Sequence, residues 1–389
     1  MKKKILILHP SLIMGGAEKV LVNMLNALDY DRVEVTLWLM ERGGVLEKEL
    51  TDKVKLEYAV YSKYFPENSF GKLIKNWLKN GELSYAFRAG LFYIASLFTN
   101  DDYEREKLFY RAFPIIEKVD LLIVYQLSST KRILPWIFRF HAKNRVAWLH
   151  GEENSLTPVD VRKSLYSLYN RIFCVSESVK SHFINNHPEL SSKADVFYNV
   201  QNTKEIIERS NEQLTERLIH PCIVTVSRLS AEKGIDRIPE TVRLLVNNGY
   251  GVTWYVVGDG KERLALERMC TELGVDDHIM FLGEKENPYP YIRNADIYVQ
   301  PSRTEGYCTT TVEAKILKKP IIVTDVFGMR EQFVDGETAI IVKEQTPEAL
   351  YKAIKDLLDH PAKMDYLVCN LNREDMSSTN SLKQLYDLL

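Results

Sequence analysis

Hydrophobic and polar positions divide the chain into two kinds of segment that alternate. Short runs that are apolar throughout, such as residues 4–9 (KILILH), are typical of strands buried on both faces in a parallel sheet. Longer segments, such as residues 15–28, repeat apolar positions at helical spacing. Further short strands are predicted in the first half at VEVTLWLM, DLLIVYQ, RVAWLH and RIFCVS. The pattern therefore predicts an α/β protein with parallel sheet and helical crossovers.

The same alternation starts again in the second half of the chain. It begins at residues 222–228 (CIVTVSR) and continues through VTWYVVG, HIMFLG, ADIYVQ, KPIIVTD and TAIIV. The polar stretch of residues 201–220 separates the two halves. We therefore predict an N-terminal Rossmann-like domain of residues 1–200, a linker at 201–220, and a C-terminal Rossmann-like domain of residues 221–374, with a deep cleft between the domains.

Composition narrows the class of protein. A chain of 389 residues is long enough for two or three domains. A formal charge of −2 provides no bulk basic field for nucleic acid. The five cysteines are widely spread without a CxxC pair, which favours a reducing compartment and argues against a structural zinc. No run reaches eighteen apolar residues, so we expect a cytoplasmic protein without a membrane span.

Residues 70–98 differ from the rest of the chain. They combine four basic side chains with a single acidic one and with seven aromatic rings. The charged residues are Lys72, Lys75, Lys79, Arg88 and Glu82. A basic, aromatic, helix-compatible segment can lie on an anionic membrane surface. The alternative is a pair of ordinary amphipathic helices packed on the N-terminal core, and the pattern alone does not separate the two.

The segment at residues 301–314 (PSRTEGYCTTTVEA) carries two candidate binding carboxylates. An apolar strand precedes it, and residues 310–317 are predicted to be helical, which puts Glu305 in the loop before the helix and Glu313 inside it. Open α/β sheets bind ligands at the carboxyl ends of their strands. Carboxylates there can accept hydrogen bonds from hydroxyls while the helix N-terminus receives an anion. This chemistry fits a nucleotide sugar, although a bare pair at this spacing is usually two solvated helix glutamates.

Other candidate residues follow predicted strands. Arg228 and Lys233 lie in a strand-to-helix loop, where two cations can bind a diphosphate and neutralise charge on a departing one. A lone solvated pair is the alternative. Glycine turns that let backbone approach a ligand closely are predicted at Gly15-Gly16, at Gly258-Asp259-Gly260 and at Gly283. His150 ends a strand of the first half, where it is either a site residue or a histidine satisfied within the core.

Taken in order, MGGAE, WLHGE, VSES, FYNV, VSRLSAEKG, VGDG, FLGE and PSRTEGYCTTTVEA resemble the family 4 glycosyltransferases. The resemblance covers nearly the whole chain and implies the GT-B fold, a nucleotide diphosphate sugar donor and retention at the anomeric carbon. We also expect the tail from about residue 375 to 389 to pack on the N-terminal domain. The acceptor is expected to be a saccharide or a lipid-linked saccharide, with UDP as the favoured nucleotide and no metal or other cofactor required.

The resemblance also implies roles for individual residues. Gly16 contacts the donor phosphate or sugar, and His150 lies beside the donor sugar. Arg228 and Lys233 bind the diphosphate, and Glu305 holds hydroxyls of the donor sugar. Glu313 binds the ribose, and the backbone from Gly306 through Tyr307 and Cys308 to Thr309 touches sugar and phosphate. The predicted catalytic set is His150, Arg228, Lys233 and Glu305.

The chain departs from the family pattern in two places. Residues 200–203 follow Asn199 where a small residue and then an acidic one are usual, and Cys308 stands where small residues or proline are common. Neither the hinge nor the sugar specificity therefore follows from the resemblance. Two other classes of function stay open at this point: a sugar-nucleotide epimerase or phosphorylase on the same fold, and a non-catalytic sugar-nucleotide-binding protein.

Overall fold

A computed structural model describes residues 2–60, 69–151, 164–371 and 380–389. The chain divides into two compact units. The first contains Met1–Val175, Val179–Val200 and Thr379–Leu389, and the second contains Ser176–Ser178 and Gln201–Ser378. Each unit is built around one parallel sheet.

The sheet of the first unit has seven parallel strands in the order β3-β2-β1-β4-β5-β6-β7. These are β1 (Lys3–His9), β2 (Val33–Leu39), β3 (Lys55–Tyr58), β4 (Glu117–Val124), β5 (Phe140–Leu149), β6 (Arg171–Cys174) and β7 (Ala194–Val196). The order reverses between β1 and β4, which is the doubly wound arrangement. The apolar runs became strands because both faces of a parallel sheet are covered by helices, so that every side chain of Ile5–Leu8 is buried.

Six of the described helices connect or follow these strands within the part of the first unit that ends at Val200. They are α1 (Gly16–Asn26), α2 (Phe70–Lys79), α3 (Leu83–Leu97), α4 (Asp102–Ala112), α5 (Thr130–Ile137) and α6 (Glu177–Asn186). The helix predicted at residues 15–28 is confirmed as α1, whose apolar positions Val20, Leu21, Met24 and Leu25 are buried. Two strands were not predicted, β3 and β7, because each is short and is interrupted by a charged residue.

The sheet of the second unit has six parallel strands in the order β10-β9-β8-β11-β12-β13. These are β8 (Cys222–Val226), β9 (Thr253–Val257), β10 (Ile279–Gly283), β11 (Ile297–Gln300), β12 (Ile321–Thr324) and β13 (Ile340–Val342). All six lie within apolar runs named from the sequence. The order reverses between β8 and β11, and this reversal positions the candidate site.

Eight helices belong to the second unit within the part of the chain that the structure describes. They are α7 (Thr203–Arg209), α8 (Ile238–Asn247), α9 (Arg263–Leu273), α10 (Tyr289–Asn294), α11 (Thr309–Ile316), α12 (Met329–Gln332), α13 (Pro347–Asp359) and α14 (Pro361–Leu371). Two apolar clusters, one on each face of the sheet, form the core of this unit. The second cluster includes Leu371, the last residue described before the gap at 372–379.

Residues 201–220 differ from the linker that their polarity predicts. They contain α7, and Ile206 and Leu218 of this segment are buried in the core of the second unit. The hydrophobic contribution of these two side chains holds the segment on the unit that follows it in sequence. The predicted boundary near residue 374 lies outside the described residues.

The C-terminal segment groups with the first unit through helix α15 (Asn380–Tyr386). The hydroxyl of Tyr386 accepts a hydrogen bond from the backbone N–H of Asp29 at 2.7 Å. The guanidinium of Arg32 lies 4.4 Å from the centre of the Tyr386 ring, and the side-chain amide of Asn144 donates to the carbonyl of Leu388 at 2.8 Å. Side-chain contacts therefore hold this segment against the loop before β2 and against β5.

Candidate functional site

The topology of the second sheet indicates where a ligand would bind. In a doubly wound sheet, ligands occupy the crevice at the carboxyl ends of the strands where the strand order reverses. Here that point lies between β8 and β11. The loop after β8 carries Arg228 and Lys233, and the loop after β11 carries Glu305. The strand order thus brings together segments that lie about seventy residues apart in sequence.

Lys233 and Glu305 form a direct ion pair at this place. The Nζ atom of Lys233 donates to Oε1 of Glu305 at 2.8 Å, and both side chains are mostly buried. Burial by itself would lower the pKa of Lys233, but the charge of Glu305, the neighbouring Cys308 and the hydrogen bond to Glu305 together outweigh burial and raise the pKa above its ordinary value. The lysine is therefore a cation held next to a carboxylate, and both groups are fixed before any ligand arrives.

A chain of side-chain hydrogen bonds orients Glu305. The hydroxyl of Ser302 donates to Oε1 of Glu305 at 2.6 Å, and the amide of Gln300 donates to that hydroxyl at 2.9 Å. The hydroxyl of Tyr298 in turn donates to the amide oxygen of Gln300 at 2.9 Å. Gln300, Ser302 and Tyr298 were not predicted as site residues. The signal was present, because polar side chains in and directly after a buried strand must find partners.

Two glycines allow the loops around this pair to touch. Gly234 has a φ of +64°, and a β-carbon there would lie 2.1 Å from the carbonyl oxygen of Pro301. Gly258 has a φ of +139°, and a β-carbon there would lie 1.9 Å from the carbonyl oxygen of Ser227. Only glycine fits such contacts, so the loops after β8, β9 and β11 are locked together at these residues.

The remaining predicted residues of the loops differ in exposure. Arg228 has a side chain that is 73% exposed, with its Nη2 atom 3.6 Å from Oε1 of Glu232. Asp259 accepts a hydrogen bond from the backbone N–H of Gly260 at 2.7 Å and from Arg263 at 3.0 Å. The first of these contacts lowers the pKa of Asp259 most, and burial opposes it only in part. Gly283 accepts a hydrogen bond from the N–H of Gly258 at 2.8 Å, so these two turns adjoin.

Helix α11 begins at Thr309, one residue before the predicted start, and places Glu313 inside the helix. Glu313 is buried, whereas an ordinary helix glutamate is solvated. Gly306 and Tyr307 precede the helix, and Cys308 caps it with an extended backbone. Cys308 is buried, and this burial raises the pKa of its thiol to about 11, so it is not a reactive thiolate.

His150 lies at the end of β5 in the first unit. Its Nε2 atom lies 2.7 Å from the carbonyl oxygen of Tyr125, which follows β4, and the two rings are 4.9 Å apart. Burial lowers the pKa of His150 to about 4, so the ring is neutral at physiological pH. Because a carbonyl oxygen only accepts, Nε2 carries the proton and Nδ1 keeps its lone pair. His150 is therefore a hydrogen-bond acceptor toward any ligand that reaches Nδ1.

The Gly15-Gly16 loop has an acidic neighbour that was not predicted as a site residue. Gly15 caps α1, and a β-carbon on it would lie 2.2 Å from Oε2 of Glu18. The other carboxylate oxygen of Glu18 lies 3.6 Å from Nε2 of His9 at the end of β1. Burial would raise the pKa of Glu18, but His9, a backbone hydrogen bond and the nearby His150 together outweigh burial and keep the pKa below its ordinary value. A larger residue at position 15 would displace the end of the Glu18 side chain, which packs over this glycine.

One group of side chains has the composition of a metal site. Ligand atoms of His220, Cys222 and Asp296 lie within 4.8 Å of one another. However, the ring of His220 and the backbone N–H of Cys222 both bond to Oδ2 of Asp296, at 2.6 and 2.7 Å. Burial also raises the pKa of the Cys222 thiol to about 11, and Lys319 lies close enough to act on it. These contacts fix the start of β8 and occupy the groups that would otherwise bind a cation.

A cavity of about 780 Å³ lies beside the cluster of His220, Cys222 and Asp296. Its walls come from residues 214–220 together with the end of α10. The lining residues are Leu214, Glu216, Arg217, Leu218, Ile219, His220 and Asn294. None of them is a predicted donor residue, so this cavity is separate from the candidate site.

The match to a known family lies in the second unit. The family model Glycosyl transferases group 1 matches residues 206–372, which include every predicted site residue of that unit. The capsular polysaccharide biosynthesis glycosyltransferase CapM of Staphylococcus aureus is 24% identical over 201 residues, which make up 48% of this chain and 52% of CapM. A Campylobacter jejuni N-acetylgalactosaminyltransferase that acts on a diphospho-undecaprenol-linked saccharide is 22% identical over 55% of this chain and 58% of its own length. This chain thus matches little more than half of these curated relatives.

Similarity of structure extends over the whole chain. HepE of Anabaena, solved in complex with UDP, aligns with a TM-score of 0.71 at 18% identity and covers 99% of this chain and 98% of its own. This likeness establishes the fold alone. The predicted α/β fold of the GT-B class, with two Rossmann-like units, is confirmed by it and by the two parallel sheets.

Proposed function

We propose that this protein is a retaining glycosyltransferase. It moves a sugar from a nucleotide diphosphate sugar to a hydroxyl of a saccharide or lipid-linked saccharide, in the biosynthesis of a surface polysaccharide. The observation that carries the proposal is the buried Lys233–Glu305 pair at the strand reversal of the second sheet. It combines a cation for phosphate with a carboxylate for hydroxyls, inside the region that the glycosyltransferase family model matches.

The residues of the second unit have distinct roles in this proposal. Lys233 and Arg228 bind the diphosphate, and they stabilise the charge that grows on it as the sugar leaves. Glu305 accepts hydrogen bonds from donor-sugar hydroxyls with an oxygen that its ion pair leaves available, since a carboxylate has about four acceptor positions. Glu313 binds the ribose. The backbone of Gly306–Thr309 contacts sugar and phosphate, and the turns at Gly258-Asp259 and Gly283 lie against the base.

The chemistry needs little from a protein base. In the front-face displacement proposed for such enzymes, the leaving phosphate takes the proton of the acceptor hydroxyl, and the sugar keeps its anomeric configuration. The protein then contributes mainly position and electrostatic stabilisation. His150, which is neutral with Nδ1 free to accept a hydrogen bond, orients a sugar hydroxyl. Because the cations and the amides of α11 supply the positive charge, the proposed reaction requires no divalent metal.

Two of the compared proteins inform the choice of substrate. HepE was solved with UDP, which supports UDP as the nucleotide. The names of CapM and of the Campylobacter transferase support a surface polysaccharide and a lipid-linked saccharide acceptor. Nucleotide sugars are made in the cytoplasm, so we place the reaction there.

A thermal-shift screen with UDP, GDP, ADP, dTDP and CMP, followed by their common sugar conjugates, tests the proposal. A specific ligand at one hundred times its Kd stabilises the folded state by about 2.7 kcal/mol. We expect one nucleotide diphosphate to raise the Tm by several degrees and its sugar conjugate to act more strongly. Lys233→Met is the matched variant and should lose the shift. A flat response to the whole panel would contradict a donor site.

The alternatives make different products. An epimerase would convert the donor in the absence of acceptor, and NMR of the sugar conjugate would show a new sugar. A phosphorylase of this fold would need a lysine to bind pyridoxal phosphate. After incubation with that cofactor, the protein would show the cofactor's absorption band. A non-catalytic binding protein would bind the nucleotide sugar without cleaving it, so no free nucleotide would form. Slow formation of free nucleotide diphosphate from the donor, with no change in the identity of the sugar, supports sugar transfer.

A further inference from the structure

Helix α3 turns its large apolar side chains outward. Leu83, Phe87, Leu91 and Ile94 are 66%, 71%, 54% and 54% exposed, and Phe98 at its C-cap is 87% exposed. Their spacing of four, four, three and four residues puts all five on one face of the helix. We call these five residues the apolar stripe. The buried positions of the same helix are small, namely Ala86, Ala89 and Ser96.

The outward position of the large apolar side chains of α3 follows from how the neighbouring helices pack. On the inner side, the Trp77 and Phe70 rings of α2 lie 5.7 Å from those of Tyr85 and Tyr93 respectively, which pairs α2 and α3 in opposite directions. Phe70 also lies 5.1 Å from Phe109 of α4. Trp77 is buried and the small residues of α3 pack beside these rings, whereas Tyr93 remains 45% exposed. The segment thus has both packed rings and the exposed apolar stripe.

Helix α2, beside it, presents positive charge. Lys72, Lys75 and Lys79 are exposed, and their spacing places them along one face, away from the buried Leu73 and Trp77. Within residues 2–60, 69–151, 164–371 and 380–389, no carboxylate lies within ion-pair distance of these three amines. We call Lys72, Lys75 and Lys79 the lysine row.

Two acidic groups near the start of α4 have partners of their own. Glu104 is occupied by Lys107 at 2.6 Å and by the hydroxyl of Ser164 at 2.7 Å. The carboxylate of Asp101 caps α4 by accepting from the N–H of Tyr103 at 2.8 Å. Among the described residues, the lysine row therefore keeps its positive charge next to the exposed apolar stripe.

We propose that the apolar stripe and the lysine row together dock on an anionic lipid bilayer. A bilayer surface offers the two chemistries that this face needs, headgroup phosphates for the amines and an acyl boundary for the apolar side chains. No described helix has the length and apolar content needed to cross a bilayer, so α2 and α3 lie along the surface. A second copy of the chain fits less well, because a twofold contact through this face brings two lysine rows together.

This inference extends the proposed function without depending on its test. A lipid-linked acceptor is presented at a bilayer surface, so an enzyme held there meets it in two dimensions. Binding to lipid and binding of nucleotide are measured separately, on different units of the chain. Loss of one with retention of the other tells which of the two proposals fails.

Vesicle flotation of the purified full chain tests the surface directly. The probes are vesicles of neutral phosphatidylcholine and vesicles containing a third of phosphatidylglycerol, at low and at physiological salt. We expect flotation with the anionic vesicles, weaker at the higher salt because the ionic part is screened. Each lysine near the surface changes the partition about fivefold, so Lys72→Gln/Lys75→Gln/Lys79→Gln should lower it about a hundredfold.

Matched variants separate the surface from general charge and folding. Phe87→Ser/Leu91→Ser/Phe98→Ser should lower binding at every salt concentration, because the apolar part is not screened. Lys118→Gln/Lys204→Gln/Lys352→Gln removes the same charge from exposed positions on other elements and should float like the wild type. Unfolding curves and the thermal shift with nucleotide should be the same for all variants.

Three outcomes would overturn the inference. One is failure of the wild type to float with anionic vesicles at low salt. Another is equal loss of flotation for the control lysine variant. The third is self-association that the stripe substitutions abolish, measured by sedimentation at micromolar protein, which would identify the cover of this face as a second copy.

Discussion

The amine of Lys233 lies 2.8 Å from the carboxylate of Glu305, across a sequence separation of 72 residues. The loops that carry them meet because β8 and β11 are neighbours in the sheet. Their side chains are 19% and 7% exposed, so neither charge is well solvated without the other. This pair therefore contributes both to the stability of the second unit and to its proposed chemistry.

Removing one partner of this pair should destabilise the protein more than removing both. Lys233→Met leaves Glu305 buried without its cation, and breaking a buried pair in this way costs about 3 kcal/mol. The double variant Lys233→Met/Glu305→Leu removes the orphaned charge as well and should recover part of that loss. Urea denaturation at pH 7 measures the free energies of unfolding. Additive effects of the two single substitutions would show that the pair is not coupled.

Arg228→Ala should impair turnover without affecting stability. The side chain is exposed and lies 3.6 Å from the carboxylate of Glu232, so its loss leaves no buried charge. Loss of one preorganised group that stabilises transition-state charge lowers kcat by about a hundredfold to a thousandfold. Arg243→Ala on α8 is the control, because that arginine also pairs with a glutamate of its own segment. Near-normal turnover of the Arg228 variant would remove this residue from the site.

Glu313 and Glu305 should differ in which ligand they affect. Glu313→Gln should weaken binding of the free nucleotide diphosphate by about tenfold, equivalent to one lost charged hydrogen bond. Glu305→Gln should leave that affinity unchanged or higher, since it frees the charge of Lys233 for the diphosphate, and should weaken the intact nucleotide sugar. Calorimetric titration with each ligand distinguishes them. Equal losses on both ligands for both variants would contradict the assigned roles.

His150 should make the stability of the first unit depend on pH in a defined direction. Its pKa in the folded protein is about 4, below the ordinary 6.5, so the unfolded chain binds the proton more readily between these values. The stability that neutral His150 contributes is therefore complete above pH 6.5 and falls as the pH drops toward 4. The loss is at most about 3 kcal/mol.

The measurement compares wild type with His150→Gln by urea denaturation from pH 7.5 to 4. The glutamine has no proton to gain, so the difference in unfolding free energy between the two proteins should shrink as the pH falls. A difference that stays constant over this range would show that the folded protein does not depress the pKa of this imidazole.

Chelation should leave sugar transfer intact. The proposed site neutralises the diphosphate with Lys233, Arg228 and the amides at the start of α11, so excess EDTA should not change the rate. Turnover is measured in EDTA and again after adding magnesium or manganese. A strict loss with EDTA that either ion restores would show that the reaction uses a metal.

Local pattern in the sequence was sufficient for the secondary structure around the site. The apolar runs at β8, β9 and β11 are buried on both faces, and such runs read as strands without knowledge of their partners. Helix α11 was likewise predicted from local pattern, to within one residue at each end. The pattern failed where elements are short or polar, as at β3, at β7 and in α7, because their burial comes from neighbours and not from their own periodicity.

The tertiary structure alone decided which side chains meet. The pairing of Lys233 with Glu305, and the chain of hydrogen bonds through Ser302 and Gln300 that orients it, depend on the order of strands in the sheet. That order is set by crossovers between distant segments, and local periodicity carries no record of it. In the same way, the sequence of residues 70–98 showed that basic and aromatic residues alternate along two helices. Only the packing of α2, α3 and α4 determined that the rings of Trp77 and Phe70 turn inward while Phe87 and Phe98 remain in solvent.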